Sequence, residues 1–301
     1  MKPNGPTPVV LCHGLLWLGL ALLAGCSRQP AAGLDADSSE KRYPLTGEVI
    51  AVDANRKMLT VSHDAVQGLM PAMTMEFAVS AGDAASVHPG ERIRAELVAD
   101  MKAPRLEDVW PDDKVAADTV AAGERQLRED THDRGSGVFR DLGETMPDFV
   151  LYDQSGRVVQ SARFRGKQIM LNFIYSRCPF ANMCPLSTQK MMTTQHLARD
   201  AKVPNIEFVS ITLDPVHDTP GVLKDYADAR GIDTSNFSFL TGPEGSIRDL
   251  LTQFGVSAEF VDGVLKHSFA TLLIDTQGRI IYRADGTEWE PADFVARMRK
   301  G

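Results

Sequence analysis

The stretch KQIMLNFIYSRCPFANMCP, residues 167–185, decides the fold of the larger part of the chain. It opens with a continuous apolar run at 167–175, which is typical of a strand buried on both faces of a sheet. Two cysteines follow, Cys178 and Cys184, and Pro185 then begins a predicted helix, because proline is tolerated at the first helical position. A buried strand that leads through a short loop into a helix predicts an α/β fold.

Predicted strands and helices alternate from residue 143 to residue 301. A second buried strand is predicted at 206–213, and a hairpin at 265–275 and 279–283 with Gln277-Gly278 as its turn. Helices are predicted at 185–199, 220–230, 244–254 and 291–299. This alternation predicts a domain with a mixed sheet and flanking helices over residues 143–301.

Residues 43–113 follow a different pattern. Four short strand-like runs, LTGEVIAVD, KMLTVSH, MTMEFAV and ERIRAELVAD, are separated by turn residues and show no helical period. Short strands at this spacing predict a small all-β barrel of the OB-like kind. Residues 114–142 contain few large apolar side chains, so they are predicted to form a partly helical linker between the two domains.

The first residues are typical of an export signal. Residues 9–23 are apolar but too short for a comfortable membrane span, and the run ends in Leu23-Ala24-Gly25-Cys26. This ending resembles a bacterial lipoprotein signal, in which residues 1–25 are removed and Cys26 is lipidated; an ordinary cleaved signal is the alternative. Residues 26–42 are small and polar, which predicts a flexible tether. We therefore expect an exported protein, anchored by lipid on the periplasmic side of a bacterial membrane.

The composition restricts the partners of the protein. The chain is 43% hydrophobic and 24% charged, as is usual for a globular protein. Its formal net charge is −8 and it has no basic block, which argues against nucleic acid as a partner.

The loop between the buried strand and the helix is the first candidate site. Cys178 follows the strand, and Cys184 lies at the start of the helix, where the dipole and the free N–H groups favour a thiolate. A thiolate is both the nucleophile of thiol–disulfide exchange and a ligand for soft metals. The two cysteines therefore form a redox pair, a metal site or an inert disulfide, although so short a loop would add little stability.

Four motifs in the same order make this domain resemble the Sco/SenC family of thioredoxin-fold copper proteins. They are the Cys178…Cys184-Pro185 loop, Leu213-Asp214-Pro215-x-x-Asp218-Thr219-Pro220 with Leu223 and Tyr226, Leu240-Thr241-Gly242, and His267-Ser268 leading into LLIDTQG. The resemblance covers about residues 141–299 and implies a thioredoxin-like fold in which Cys178, Cys184 and His267 bind copper. It also implies a receiver, the dinuclear copper site of cytochrome c oxidase. The usual loop of the family has three residues between the cysteines, and this one has five.

The chemistry of these side chains is consistent with copper. Two thiolates and one imidazole suit Cu(I) or Cu(II), whereas a structural zinc site needs a fourth protein ligand. Without the resemblance, a lone histidine such as His267 is more often a surface or capped residue than a ligand. Met183 adds a thioether beside Cys184, either as an extra ligand or as loop packing.

The second candidate site lies in the predicted barrel. His63 closes one strand, and the methionine-rich stretch LMPAMTMEF follows at 69–77. On a strand, Met73 and Met75 point to the same face, and Met70 lies just upstream. A histidine with two or three thioethers favours Cu(I), while a methionine-rich barrel core is the alternative.

This stretch resembles the small periplasmic copper-binding barrels of the CusF type, over about residues 43–113. Their metal ligands match His63, Met73 and Met75 in this chain. Met70 replaces the aromatic side chain that caps their metal, which makes Met70 a candidate further ligand.

The two resemblances together predict a membrane-anchored copper metallochaperone, a carrier rather than an enzyme. The barrel would capture Cu(I), and the thioredoxin-like domain would deliver copper to the copper-receiving subunit of cytochrome c oxidase. One alternative is a thiol–disulfide reductase that keeps the receiver's cysteines reduced, but Ala270 stands where such enzymes keep a cis-proline. Another is a copper-buffering protein, a role that the barrel alone could fill.

Overall fold

The computed structural model describes residues 40–100, 103–135, 137–261 and 264–298. From Glu40 onward the chain is one compact unit, in which a β-barrel packs against an α/β domain. The predicted lipidation site, Cys26, lies outside the described residues, as does most of the predicted tether. Among the helices of the described ranges, none has both the length and the apolarity needed to cross a bilayer.

The barrel has five strands and one short helix. They are β1 (Arg42–Asp53), β2 (Met58–His63), β3 (Met73–Ala78), α1 (Ala81–Ser86), β4 (Arg92–Val98) and β5 (Arg105–Pro111). The strands close in the order β1-β2-β3-β5-β4 around a core that includes the fully buried Phe77. β3 and β5 meet at a single pair, Ala78 and Arg105, so the closure is uneven. The all-β barrel is thus confirmed, with β5 and α1 as elements that the sequence pattern did not reveal.

The second part of the chain is a mixed sheet with helices packed on it. Its strands are β6 (Val150–Asp153), β7 (Val158–Gln160), β8 (Gln168–Ile174), β9 (Ile206–Thr212), β10 (Phe237–Thr241), β11 (Ala258–Val261), β12 (Val264–His267), β13 (Ala270–Ile274) and β14 (Ile280–Asp285). Its helices are α2 (Lys114–Arg134), α3 (Cys184–Asp200), α4 (Pro220–Asp228), α5 (Glu244–Gln253) and α6 (Pro291–Met298).

The main sheet has the order β14-β13-β8-β9-β10-β6-β7, and β11 pairs only with β12 in a separate ribbon. β8, β9 and β10 are parallel to one another, whereas β13 runs antiparallel to β8. Every residue of β8 is buried, as expected for a central strand covered on both faces. The predicted α/β, thioredoxin-like architecture is confirmed.

The segment predicted as a linker is mostly helical. α2 has 21 residues, and its N-cap Asp113 accepts hydrogen bonds from the N–H groups of Val115 and Ala116. Val120 and Leu127 are buried, and the helix packs along α5. α2 therefore packs on the α/β domain through one face.

The predicted strand at 265–275 is wrong as one continuous element. The chain leaves β12 at His267 and enters β13 at Ala270, and between them the Ser268 N–H donates to the Ser257 carbonyl at 2.9 Å. The sequence pattern does not show that the two strands pair with different partners. The break places His267 at the end of the β11–β12 ribbon, outside the main sheet.

Candidate metal centres

The thiol loop connects β8 to α3. The Cys178 N–H donates to the Tyr175 carbonyl at 3.3 Å, and the Met183 N–H donates to the Phe180 carbonyl at 3.0 Å. Cys178 is partly exposed, whereas Cys184, the first residue of α3, is fully buried, and both are free thiols. The loop thus presents one thiol to solvent and holds the other against the core.

Burial makes the Cys184 thiol harder to deprotonate than the sequence predicts. The helix N-terminus was expected to favour the thiolate, but burial is the largest influence and raises the pKa of the Cys184 thiol well above its ordinary value. A hydrogen bond with the Tyr175 backbone acts in the opposite direction and is weaker. Without a cation, Cys184 is therefore a neutral thiol at neutral pH.

His267 lies directly over this thiol. Its Nε2 is 3.5 Å from the Cys184 Sγ, and its Nδ1 is 3.0 Å from the Ser268 carbonyl oxygen. A carbonyl can only accept, so Nδ1 carries the proton and Nε2 presents its lone pair to the sulfur. Burial lowers the pKa of His267, which favours the neutral imidazole that metals bind.

Two aromatic rings hold the imidazole in place. The ring of Tyr175 meets His267 edge-on at a centroid distance of 5.6 Å, and the ring of Phe269 lies at 4.3 Å. The Tyr175 hydroxyl is buried, and burial followed by its interaction with Cys178 raises its pKa. The imidazole is therefore oriented before any ligand arrives.

The three predicted thiol-site residues are neighbours, but they do not all converge. Cys184 and His267 are in contact, and Cys178 interacts with the Cys184 side chain from the loop above. Among the described side chains, no group of three or more His, Cys, Asp and Glu is arranged to hold a metal ion as it stands. Met183, the N-cap residue of α3, is half-buried and forms no side-chain cap.

A second layer of residues fixes the thiol loop. Asp218 is fully buried and accepts hydrogen bonds from the Ser176 N–H at 3.1 Å, from the Ser176 hydroxyl, and from the Thr212 hydroxyl at 2.6 Å. The Arg177 Nε donates to the Asp214 carboxylate at 2.7 Å. In the sequence, both aspartates stand out only as members of the motif at residues 213–220. The signal that could have revealed their role was a pair of carboxylates at the end of the strand beside β8.

The methionine site is built on the β2–β3 pair. His63 lies opposite Met73 in the antiparallel register, and Val61 lies opposite Met75, so both methionines share the face of His63. Met73 is 48% exposed, while Met75 and Met70 are half-buried against the barrel core. Met70 is held beside them by reciprocal backbone hydrogen bonds with Val66.

The His63 ring has one nitrogen without a partner. Its Nδ1 lies 2.7 Å from the Asp64 carbonyl oxygen, and the Phe77 ring meets it edge-on at 5.8 Å. Its Nε2 is buried and has no hydrogen-bond partner among the described residues. An unsatisfied buried polar atom costs about 1–3 kcal/mol. The donor set of one free imidazole nitrogen and nearby thioethers fits a soft metal ion such as Cu(I).

Two family models match this chain, one over each of its two parts. The sequence model of the SCO1/SenC family matches residues 140–300, and the model of the copper binding periplasmic protein CusF matches residues 42–111. A SCO2-like protein of Rickettsia conorii is 31% identical over 167 residues, which cover 52% of this chain and 78% of that protein.

Solved structures of Sco proteins are also similar. A SCO1/SenC family lipoprotein from Bacillus anthracis has 25% identity and a TM-score of 0.49, covering 54% of this chain and 98% of that chain. The copper-bound ScoI of Bradyrhizobium japonicum has 26% identity and a TM-score of 0.45, covering 52% and 99% respectively. Because the family match spans more than half of its length, this chain belongs to the SCO1/SenC family.

Proposed function

We propose that this protein is a copper carrier with two sites, one built from Cys178, Cys184 and His267 and one from His63, Met70, Met73 and Met75. Copper is the metal that the CusF family match names. The metal is cargo: the barrel captures Cu(I), and the thioredoxin-like domain passes copper to the copper-receiving subunit of cytochrome c oxidase. Export and lipid anchoring through Cys26 place the protein on the periplasmic side of the membrane.

The observation that carries the proposal is the contact between a buried thiol and a neutral imidazole. Burial disfavours the Cys184 thiolate unless a cation compensates it, and the lone pair of His267 Nε2 points at that sulfur from 3.5 Å. Copper supplies that compensating positive charge. Cys178 completes the ligand set by a short movement of the exposed loop, and loading releases the thiol protons to water.

The barrel site suits capture rather than storage in a closed cavity. Met73 is 48% exposed, so an incoming ion can reach a thioether before it reaches the buried His63 ring. Thioethers carry no proton to displace, so the methionines offer free sulfur ligands over a wide pH range.

A thiol–disulfide reductase remains the second candidate, because Cys178 is partly exposed beside a second free thiol. Cys178 would attack a receiver disulfide and Cys184 would resolve the mixed disulfide, so two electrons and two protons pass to the receiver. The raised pKa of Cys184 slows the second step, because only the thiolate attacks.

The deciding experiment replaces His267 by alanine in cells. A carrier needs the imidazole, whereas thiol–disulfide exchange needs only the two sulfurs. We expect cells with His267→Ala, grown at low external copper, to assemble an oxidase that is short of copper, while the purified variant still reduces a model disulfide. His196→Ala, on the exposed face of α3, is the matched control. A normal copper content of the oxidase in the His267→Ala cells would exclude the carrier role.

A further inference from the structure

The barrel and the α/β domain meet where two short helices, α1 and α4, cross at glycines. A Cβ atom added to Gly82 would overlap the carbonyl oxygen of Gly221, and one added to Gly221 would overlap the Asp83 carboxylate. Neither glycine has a positive φ, so both are explained by the close approach of the helices and not by backbone conformation.

Asp83 is the side chain that fills this contact. It is 5% exposed, and its Oδ1 has no hydrogen-bond partner among the described residues. Its N–H donates to the Ser80 hydroxyl at 2.9 Å, and its carboxyl interacts in return with Ser80, so the two residues form a capping box at the start of α1. The capping box fixes the Asp83 carboxyl in the position where it contacts the first turn of α4.

The contact continues from α4 to the thiol loop through consecutive residues. Gly221 belongs to the first turn of α4, whose N-cap Thr219 accepts a hydrogen bond from the Val222 N–H at 3.3 Å. The residue before the N-cap is Asp218, whose carboxylate accepts hydrogen bonds from both the N–H and the hydroxyl of Ser176. Ser176 stands two residues before Cys178.

We propose that the barrel is a positioning element for the thiol site. Docking of Gly82 and Asp83 on α4 fixes the start of that helix, the fixed helix start holds Asp218, and Asp218 sets the position of the thiol loop. Gly82 and Asp83 are positioning residues, because they contact α4 and not the thiols. The part of this inference that concerns copper rests on the function proposed above; the part that concerns loop order does not.

The test uses the whole protein with Gly82→Val, which forces the two helices apart. Ala85→Val is the matched control, because Ala85 lies on the exposed face of the same helix. We expect amide hydrogen exchange at Ser176 to become about tenfold faster with Gly82→Val, since about 1.4 kcal/mol of local stability corresponds to a factor of ten. Copper affinity of the thiol site should fall several-fold and its copper–thiolate absorption should change, while the barrel site keeps its affinity.

A second pair of variants distinguishes a specific effect of the helix contact from general misfolding. Gly221→Ala introduces an overlap with the Asp83 carboxylate and a closer approach, 2.9 Å, to the Asp83 backbone nitrogen, on a helix where alanine is otherwise favourable. Asp83→Ala then removes the carboxylate, which is the larger part of the overlap. The double variant should recover at least half of the exchange protection at Ser176 that Gly221→Ala loses, and the circular dichroism spectrum should show the same secondary structure in all of them.

Three outcomes would overturn the proposal. One is unchanged Ser176 exchange in Gly82→Val when proteolysis shows the barrel undocked. Another is an equal effect from Ala85→Val, and the third is no recovery in the double variant. If the unmodified protein binds no copper at the thiol site, the proposed function fails, but the exchange measurements still decide the positioning role.

Discussion

The thiol site and the methionine site use their histidines in the same way but surround them with opposite environments. In each site Nδ1 faces the carbonyl oxygen of the next residue, at 2.7 Å for His63 and 3.0 Å for His267. The Nε2 of His267 lies 3.5 Å from the Cys184 Sγ, whereas the Nε2 of His63 is buried with no hydrogen-bond partner among the described residues. The sulfur next to His267 belongs to the fully buried Cys184, whereas Met73 opposite His63 is 48% exposed.

Under the proposed carrier function, this difference would divide capture and delivery between two kinds of ligand. A buried thiol gains a negative charge only when a cation arrives, so metal binding at the thiol site is coupled to proton release. An exposed thioether releases no proton when it binds a metal, so metal exchange at the barrel site would require no proton transfer from the sulfur ligands. The hydrogen bond from Nδ1 to the next carbonyl is common to both sites, and the sulfur chemistry would set how each one holds a metal ion.

The largest expected effect comes from removing one histidine at a time. His267→Ala should lower copper affinity of the thiol site at least about 100-fold and leave the barrel site unchanged, and His63→Ala should do the reverse, because a lost ligand costs more than the 10–100-fold of an outer-shell partner. Site-resolved copper titration of the purified protein measures both. If either variant lowers both affinities equally, the two sites are not independent.

The methionines provide the next test. Met73→Leu combined with Met75→Leu keeps volume and apolarity, so the free energy of unfolding should change by less than about 1.5 kcal/mol. Cu(I) affinity of the barrel should fall at least about tenfold, and Met58→Leu, at the far end of β2, should leave it unchanged. Retained Cu(I) binding in the double variant would identify the two methionines as core residues.

The pH dependence of the two sites should also differ. Because burial raises the pKa of Cys184, that thiol is protonated through the neutral range and must lose a proton when copper binds. Copper affinity of the thiol site should therefore fall at least about tenfold for each unit of decreasing pH, between pH 8 and pH 7. The barrel site, whose thioethers release no proton, should change by less. A steeper dependence in the barrel would contradict this assignment of ligands.

The smallest expected effect concerns the contact between the two domains. Burial raises the pKa of Asp83 to about 6. The hydrogen bonds of Ser80 lower this pKa by less than burial raises it, and the nearby carboxylates of Asp225 and Asp108 raise it further. His217 lies near Asp108 and lowers the pKa of that carboxyl.

A carboxyl whose pKa is higher in the folded state stabilises the fold at low pH, and this contribution is lost as the pH rises through the folded value. Lowering the pH from 7 to 5 should therefore add on the order of 1 kcal/mol of stability through Asp83. Asp83→Asn should remove this gain, as measured by denaturant unfolding at the two pH values. An identical pH response in the variant would show that another group is responsible.

Much of the fold could be predicted because the relevant patterns are local. The apolar run before Cys178 is typical of a buried strand, and Pro185 predicts the first turn of a helix, so both the α/β class and the position of the thiol loop could be predicted. The site residues His63, Met73 and Met75 share one face because strand side chains alternate. The break after His267 and the packing of α2 could not be predicted, because both depend on which distant partner a segment finds.

The sequence by itself determined which ligands are available: two thiols six residues apart, a distant histidine and a histidine with clustered methionines. The ability of a sulfur or nitrogen atom to bind a metal is a property of its side chain and is present in any fold. Only the tertiary structure decided how these ligands are protonated, oriented and positioned. Three features depend on residues far apart in the chain: the burial of Cys184, the orientation of each imidazole, and the hydrogen bonds by which Asp218 holds the thiol loop. The same holds for the contact of Gly82 with Gly221, since two glycines 139 positions apart leave no local pattern.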